Sequence, residues 1–304
     1  MAGSLRWSLC PALLGLCALM AAGGGRAQAL ELYAKTGLAH NEQAQISGLH
    51  DATKLRHDGL AVFDIGLRGR PLSSLRLKYD YQSKRHGSLG HNDWDTHKLK
   101  GYLSLPDTAA SVYLNLSHYA WGHEAYLLTQ EIKPRVDLAW RGGTLQPALA
   151  FRDKDYHVYD GFDSTAWGAE LAYRKAGRYT KLSAYQQDTS NDDYDFREVK
   201  AYTTGPLGRI GRYQFKYRAE LGHKDYTRVS DTTLTQYRWT AKLRGEVNRS
   251  LHAQLGAGWR LRARLQLSQY ETNLSANSYQ ALYGGVMLIY QGSGKRQTDN
   301  DENN

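Results

Sequence analysis

After residue 29 the chain alternates apolar and polar side chains with a period of two, segment after segment. Only an extended strand sends successive side chains to opposite faces, so the pattern excludes a helical fold for most of the chain. Four segments show it best. Leu75, Leu77, Tyr79 and Tyr81 alternate with Arg76, Lys78 and Asp80. Tyr213, Phe215, Tyr217, Ala219 and Leu221 alternate with Gln214, Lys216, Arg218 and Glu220. Tyr237, Trp239, Ala241 and Leu243 alternate with Arg238, Thr240, Lys242 and Arg244, and Trp259, Leu261, Ala263, Leu265 and Leu267 with Arg260, Arg262, Arg264 and Gln266.

Followed along the chain, the alternation predicts strands near residues 30 to 40, 59 to 69, 74 to 82, 95 to 105, 110 to 121, 127 to 140, 144 to 152, 165 to 175, 178 to 186, 195 to 204, 211 to 221, 235 to 245, 259 to 269 and 279 to 290. That is an even set of fourteen. The connections alternate in length. Short turns fall at Arg70 to Ser73, Pro106 to Ala109, Arg141 to Gly143 and Lys175 to Gly177, with a Gly-Pro turn at Gly205 to Ile210. Longer polar connections fall at Asn41 to Asp58, Ser83 to Asp93, Asp153 to Asp163, Gln187 to Tyr194, Gly222 to Thr233 and Glu271 to Asn277. Short turns at one end and long loops at the other are the asymmetry of membrane barrels. Glu246 to Gly258 breaks it, being long where a short turn is due, and holds either a short helix or a misread strand.

Average hydropathy conceals such a fold, because only alternate side chains meet lipid; the chain is 41% apolar. A soluble β-sandwich also alternates. Against it stand 22 tyrosines and 7 tryptophans, many near predicted strand ends, where interfacial girdles would place them. The predicted fold is all-β, a transmembrane antiparallel up-and-down barrel of about fourteen strands.

The chain opens with Arg6, the apolar stretch Leu9 to Ala22 and the small-residue site Ala27-Gln28-Ala29, the layout of a secretory signal peptide cut before Leu30. Leu16 before Cys17 does not fit a lipid-attachment site, and both cysteines, Cys10 and Cys17, fall in the leader. Residues 1 to 29 are thus read as signal peptide, 30 to 290 as barrel, and the polar stretch 291 to 304 as a disordered periplasmic tail. Losing Arg6 and Arg26 leaves 39 − 2 = 37 basic against 30 acidic residues, so the mature chain stays basic.

If apolar positions face lipid, the alternate positions face the lumen. These carry Arg76, Lys78, Lys98, Lys100, Lys216, Arg218, Arg238, Lys242, Arg244, Arg260, Arg262 and Arg264, with Lys35, Arg68, Arg135, Arg152, Arg174, Lys181 and Lys200 elsewhere on the wall. The acids on this face are fewer: Glu31, Asp64, Asp80, Asp137, Glu170, Glu198 and Glu220. A basic wall lowers the barrier to anions and focuses the field along a pore, and arginine grips carboxylates or phosphates in a bidentate manner. The competing reading is that these bases pair with the acids and fill the barrel; the acids are too few to neutralise them. The connection Asn41 to Asp58 is long enough to fold inward as a plug.

Catalysis is not expected. Ser117 and His118 are adjacent and so point to opposite faces, and His223 and Asp225 share a face without a nucleophile. Asp188, Asn191, Asp192, Asp193 and Asp195 offer hard oxygen ligands, but read as a solvated loop, and the 11 histidines are scattered, so neither metal nor cofactor is expected.

The last strand ends Tyr283-Gly284-Gly285-Val286-Met287-Leu288-Ile289-Tyr290, in which Tyr283, Gly285, Leu288 and Tyr290 resemble the C-terminal assembly signal of outer-membrane barrels. Over residues 30 to 290 the chain resembles two groups of Gram-negative barrels. Strands such as Leu75 to Tyr81 are similar to those of small porins for acidic oligosaccharides. Phe151-Arg152-Asp153-Lys154-Asp155-Tyr156 with Thr165-Ala166-Trp167-Gly168, and His223-Lys224-Asp225-Tyr226, resemble the C-terminal barrel of surface-lipoprotein assembly modifiers. The first resemblance implies an outer-membrane channel passing anionic solutes such as acidic oligosaccharides. The second implies the barrel of a protein or polysaccharide secretion system, whose tetratricopeptide domain would have to come from another chain. A structural or adhesin barrel is the third reading. Expected partners are outer-membrane lipids and lipopolysaccharide, the barrel-assembly machinery, and an anionic solute or exported client, but no nucleic acid.

Overall fold

The computed structural model describes residues 28–45, 56–87, 93–121, 124–157, 160–227, 235–274 and 278–292. All but the last two residues of the expected signal peptide, the middle of the expected plug and nearly all of the expected tail lie outside them. The strands are β1 (Gln28–Gln45), β2 (Arg56–Leu72), β3 (Leu75–His86), β4 (Trp94–Ser104), β5 (Ala110–Trp121), β6 (Glu124–Val136, resumed at Leu138–Trp140), β7 (Gly143–Tyr156), β8 (Ser164–Lys175), β9 (Arg178–Thr189), β10 (Phe196–Ile210), β11 (Tyr213–Tyr226), β12 (Tyr237–Ser250), β13 (Trp259–Thr272) and β14 (Tyr279–Gln291). Each pairs antiparallel with the next. β14 returns to β1 from Tyr33 opposite Gln291 to Gln45 opposite Tyr279, so the sheet closes into a fourteen-stranded barrel.

The strands match the alternating segments and mostly overrun them at the long-connection end, as β3, β7, β9, β11 and β13 do. Alternation marks only the stretch of a strand with lipid on one side; above that level both faces are polar and the pattern fades. Two readings need correction. The Gly205-Pro206 turn is strand: β10 continues to Ile210 across a bulge between Pro206 and Gly208, and the chain turns at Gly211 and Arg212 instead. Proline is tolerated there because a bulge already breaks the ladder. The strand read as 127 to 140 is interrupted at Asp137, yet its register is unchanged, with Arg135 opposite Ala148 before the break and Leu138 opposite Leu145 after it. Pro134 and Pro147, lacking N–H donors, thin the ladder here, and the Asp137 N–H donates to the Ala109 carbonyl at 2.8 Å instead.

The long connection at Glu246 to Gly258 resolves both ways. β12 runs on to Ser250, and the short helix α1 (His252–Leu255) follows. Two turns are tight reversals with positive φ at both central residues: Arg141 (47°) and Gly142 (72°), and Ala176 (49°) and Gly177 (78°). This is the geometry that suits the right-handed twist of a hairpin.

The outer surface is apolar. Leu221, Leu243, Leu265 and Leu267 are each more than half exposed, and so are Trp167, Trp239 and Val286. Outward aromatics flank this band, with Trp140 against Tyr173 and Trp259 against Tyr290 towards the short turns, and Trp239 against His223 towards the long connections. An apolar belt between aromatic rims around a polar interior is the surface of a membrane-spanning barrel.

Inside, glycines let tyrosines lie flat on the wall. A Cβ on Gly168 would meet the Tyr185 ring at 2.5 Å and the Ala184 carbonyl oxygen at 2.3 Å, and one on Gly66 would meet the Tyr33 ring at 2.3 Å. Leu243→Arg places a charge on the lipid face near mid-strand and should lower unfolding free energy in lipid vesicles by about 2–4 kcal/mol. A denaturant midpoint equal to that of the unsubstituted protein would show that Leu243 does not face hydrocarbon.

Candidate functional site: the lumen wall

Cavity and filling divide the lumen unequally. A cavity of about 780 Å³ lies against β1–β4 and β10–β14. Among the described residues ten cations line it, Lys35, Lys78, Lys84, Lys98, Lys100, Lys216, Arg218, Arg244, Arg262 and Arg264, against three carboxylates, Asp64, Asp80 and Glu246. Eight of the twelve residues singled out in the sequence are therefore in its lining. Arg76, Arg238, Lys242 and Arg260 share the inward face of their strands but lie outside the cavity; Lys242 reaches Glu220 at 3.2 Å and Arg260 donates to Gln291 at 2.8 Å.

The arginines of β12 and β13 gather around one carboxylate. Arg264 donates to Glu246 at 2.8 Å, while Arg244 and Arg262 stand 3.8 Å from the same carboxylate. Arg262 is almost wholly buried and donates to Asn248 at 2.8 Å, and Arg244 donates twice to Gln266, at 2.9 and 2.6 Å. The lysines of β3 and β4 are held less tightly. Lys78 lies 3.2 Å from Asp80. Among the described residues no carboxylate lies within 4.0 Å of Lys84 or Lys98, and the Lys98 ammonium rests 5.5 Å from the Tyr119 ring centre.

On the opposite wall the same chemistry fills space. Glu170 accepts from Lys133 and Lys181, each at 3.1 Å, and from the Tyr185 hydroxyl. Glu131 accepts from Arg152 at 2.9 Å. Towards the short turns Tyr102 packs on Tyr113 at 5.0 Å and Tyr179 on Tyr202 at 5.7 Å, with Arg174 over Tyr179. These cations have acidic or aromatic partners, so this wall is packed rather than open.

Sequence reasoning missed several inward charges. Lys84, Lys154, Lys224 and Glu246 lie just past the predicted strand ends, in phase with residues already assigned to the wall. Glu131 and Lys133 lie within a predicted strand, in phase with Arg135 and Asp137, so their signal was present. Ser117 is buried on the inner face while His118 points outward, as adjacent residues must. His223 and Asp225 face outward beside Tyr237 and Trp239. The aspartate-rich connection is a local fold: Asn191 accepts from the Asp193 N–H at 3.2 Å, capping a short 3₁₀ turn, and buried Asp195 accepts from the Thr189 N–H at 2.6 Å. Among the described residues no three metal-ligating side chains converge.

At the last strand, Tyr283 and Gly285 face inward while Leu288 and Tyr290 face the outer surface. Gly285 packs where a Cβ would come within 3.0 Å of Ala39 Cβ on β1. The four residues resembling an assembly signal thus sit on the strand that closes the barrel.

No protein-family model and no curated protein matches the chain. Solved structures similar to it include Pseudomonas aeruginosa OccK2 (OpdF), with 11% identity over 87% of this chain and 98% of that one and a TM-score of 0.48. A BenF-like porin from Pseudomonas fluorescens Pf-5 has 7% identity over 88% and 100% of the chains, TM-score 0.49. Pseudomonas aeruginosa OccK9 (OpdG) has 10% identity over 88% and 98%, TM-score 0.49. The fold rests on the strand pairing itself.

Removing a carboxylate that holds two ammonium groups leaves them facing each other with only Glu131, 3.7 Å from Lys133, as a nearby counter-charge. Glu170→Gln should therefore lower stability by about 2–3 kcal/mol, less than for a dry ion pair because the network borders the lumen. Equal denaturant midpoints for the two proteins would refute a bracing role for Glu170.

Proposed function

We propose that this protein is a bacterial outer-membrane channel that passes anionic solutes, acidic oligosaccharides being one fitting class. The observation that carries this reading is the lining of the cavity, among the described residues ten cations against three carboxylates, a formal balance of 10 − 3 = +7. A wall of one sign in a confined space raises the local concentration of the opposite ion and lowers its barrier to passage. Packed lysine and arginine serving only as filler would come with about as many acids; on the cavity side, among the described residues, three carboxylates are shared by ten cations, and Lys84 and Lys98 have no carboxylate within 4.0 Å. Location in the outer membrane follows from crossing by strands with short turns at one end and longer connections at the other. Lipid and lipopolysaccharide would then surround the apolar belt, and β14 would present Tyr283, Gly285, Leu288 and Tyr290 to the assembly machinery.

Purified protein in planar bilayers should conduct with anion preference, read from the reversal potential across a salt gradient. Lys84→Glu/Lys98→Glu/Lys100→Glu changes the lining from +7 to 7 − 6 = +1 and should abolish most of that preference. Cation preference in the unsubstituted protein would sink the proposal. A barrel that carries almost no current but is needed for export of a particular client would favour a secretion role.

A further inference from the structure

Beyond the cavity, the inner wall carries a second group of cations near the long-connection end, on β7, β11 and β12. Lys154 lies two residues before the end of β7, Lys224 two before the end of β11, and Arg238 one after the start of β12. Lys224 and Arg238 are directly opposite in the sheet. The positive charges that bear on Lys224 are Arg238, Lys154 and Lys200, and Glu198 is the carboxylate that does. Glu198 is already ion-paired with Lys200 at 3.3 Å. Glu198 also stands directly opposite Lys224 in the sheet, but among the described residues no carboxylate lies within 4.0 Å of Lys154, Lys224 or Arg238.

What holds them is weak or neutral. Lys224 Nζ lies 3.4 Å from the centre of the Phe196 ring and 4.5 Å from that of Tyr226. Lys154 donates to the neutral Gln187 side chain at 2.8 Å. The buried Arg238 Nε has no hydrogen-bond partner. Ring faces fix an ammonium in place, yet give it much less than a counter-ion would. An arrangement that positions three cations and gives them, among the described residues, no carboxylate within 4.0 Å is prepared for an anion from solution.

We propose that Lys154, Lys224 and Arg238 form a binding site for a multivalent oxyanion, a phosphate-type group, at the mouth of the lumen. This rests on the channel reading and deepens it. A carboxylate would balance one of the three charges, whereas a phosphate-type group brings at least two charges and oxygens facing several directions, matching two ammonium groups and one guanidinium. The site lies at the level where a solute arrives through the long connections, outside the lining of the main cavity.

Calorimetric titration of the detergent-solubilised full chain with sodium pyrophosphate at low ionic strength tests this. Binding to the unsubstituted protein should weaken about tenfold in Lys224→Gln, a loss of one charge-assisted contact. It should vanish in Lys154→Gln/Lys224→Gln/Arg238→Gln, with folding checked by heat-modifiable migration. No binding to the unsubstituted protein, or unchanged binding to the triple variant, overturns the site. If the triple variant does not fold, unchanged affinity in both Lys224→Gln and Arg238→Gln does so. Reversal potentials on the same preparations separate the two ideas. Cation preference with pyrophosphate binding lost in the triple variant removes the anion channel and keeps the site. Anion preference with binding untouched by the substitutions removes the site and keeps the channel.

Discussion

A backbone amide in hydrocarbon has no water to turn to, and each unsatisfied group there costs several kcal/mol. A sheet with two free edges cannot meet that condition, and a closed one can. The pairing of β1 with β14, running from Tyr33 opposite Gln291 to Gln45 opposite Tyr279, is therefore the contact on which the rest depends. Closure makes one face of every strand an outer surface and the other a lumen wall. Leu243 meets lipid for the same reason that Arg244 meets the lumen. The close approach of Gly285 to Ala39 across this seam shows that the last join is made at short range.

Closure then raises a second problem, since the wall must be filled or left wet. On the side of β8 and β9 a tyrosine laid on a glycine helps to solve it. With Tyr185 laid over Gly168, its hydroxyl reaches Glu170, which in turn gathers Lys133 and Lys181. Lys133, Lys181, Arg152 and Arg174 there each have an acid or an aromatic ring, and the wall is dense. On the β1–β4 and β10–β14 side the cations outnumber the acids and a cavity remains. Filling thus describes one part of the barrel, and the proposed solute path would run through the other.

The strand count and faces were legible because a side chain meeting lipid must be apolar, and hydrocarbon enforces that rule at every second residue. Strand ends were not, because above the membrane neither face is constrained; Lys84, Lys154 and Lys224 were lost for that reason. Glu246 was lost with them, and it alters the picture of the wall most, since it turns Arg244, Arg262 and Arg264 from a free row into a braced cluster. Pro206 read as a turn because proline rarely sits within a ladder, and only the bulge beside it makes room. Alternation places a residue on the wall but says nothing of its partner, which lies on a strand distant in sequence.

Bracing gives the two cationic faces of the cavity different character. Around Glu246 the guanidinium groups are fixed by the carboxylate, by Asn248 and by Gln266, so their planar donor edges have set directions. On β3 and β4, Lys84 and Lys98 carry compact charges on flexible stems without a carboxylate within 4.0 Å among the described residues. A fixed fork selects by geometry and holds what fits; a mobile ammonium follows a passing charge and releases it. Conduction needs both properties, since a solute must be recognised without being trapped. One glutamate among three arginines therefore does more than reduce the charge of the wall: it decides which cations are rigid, and leaves the lysines opposite to move.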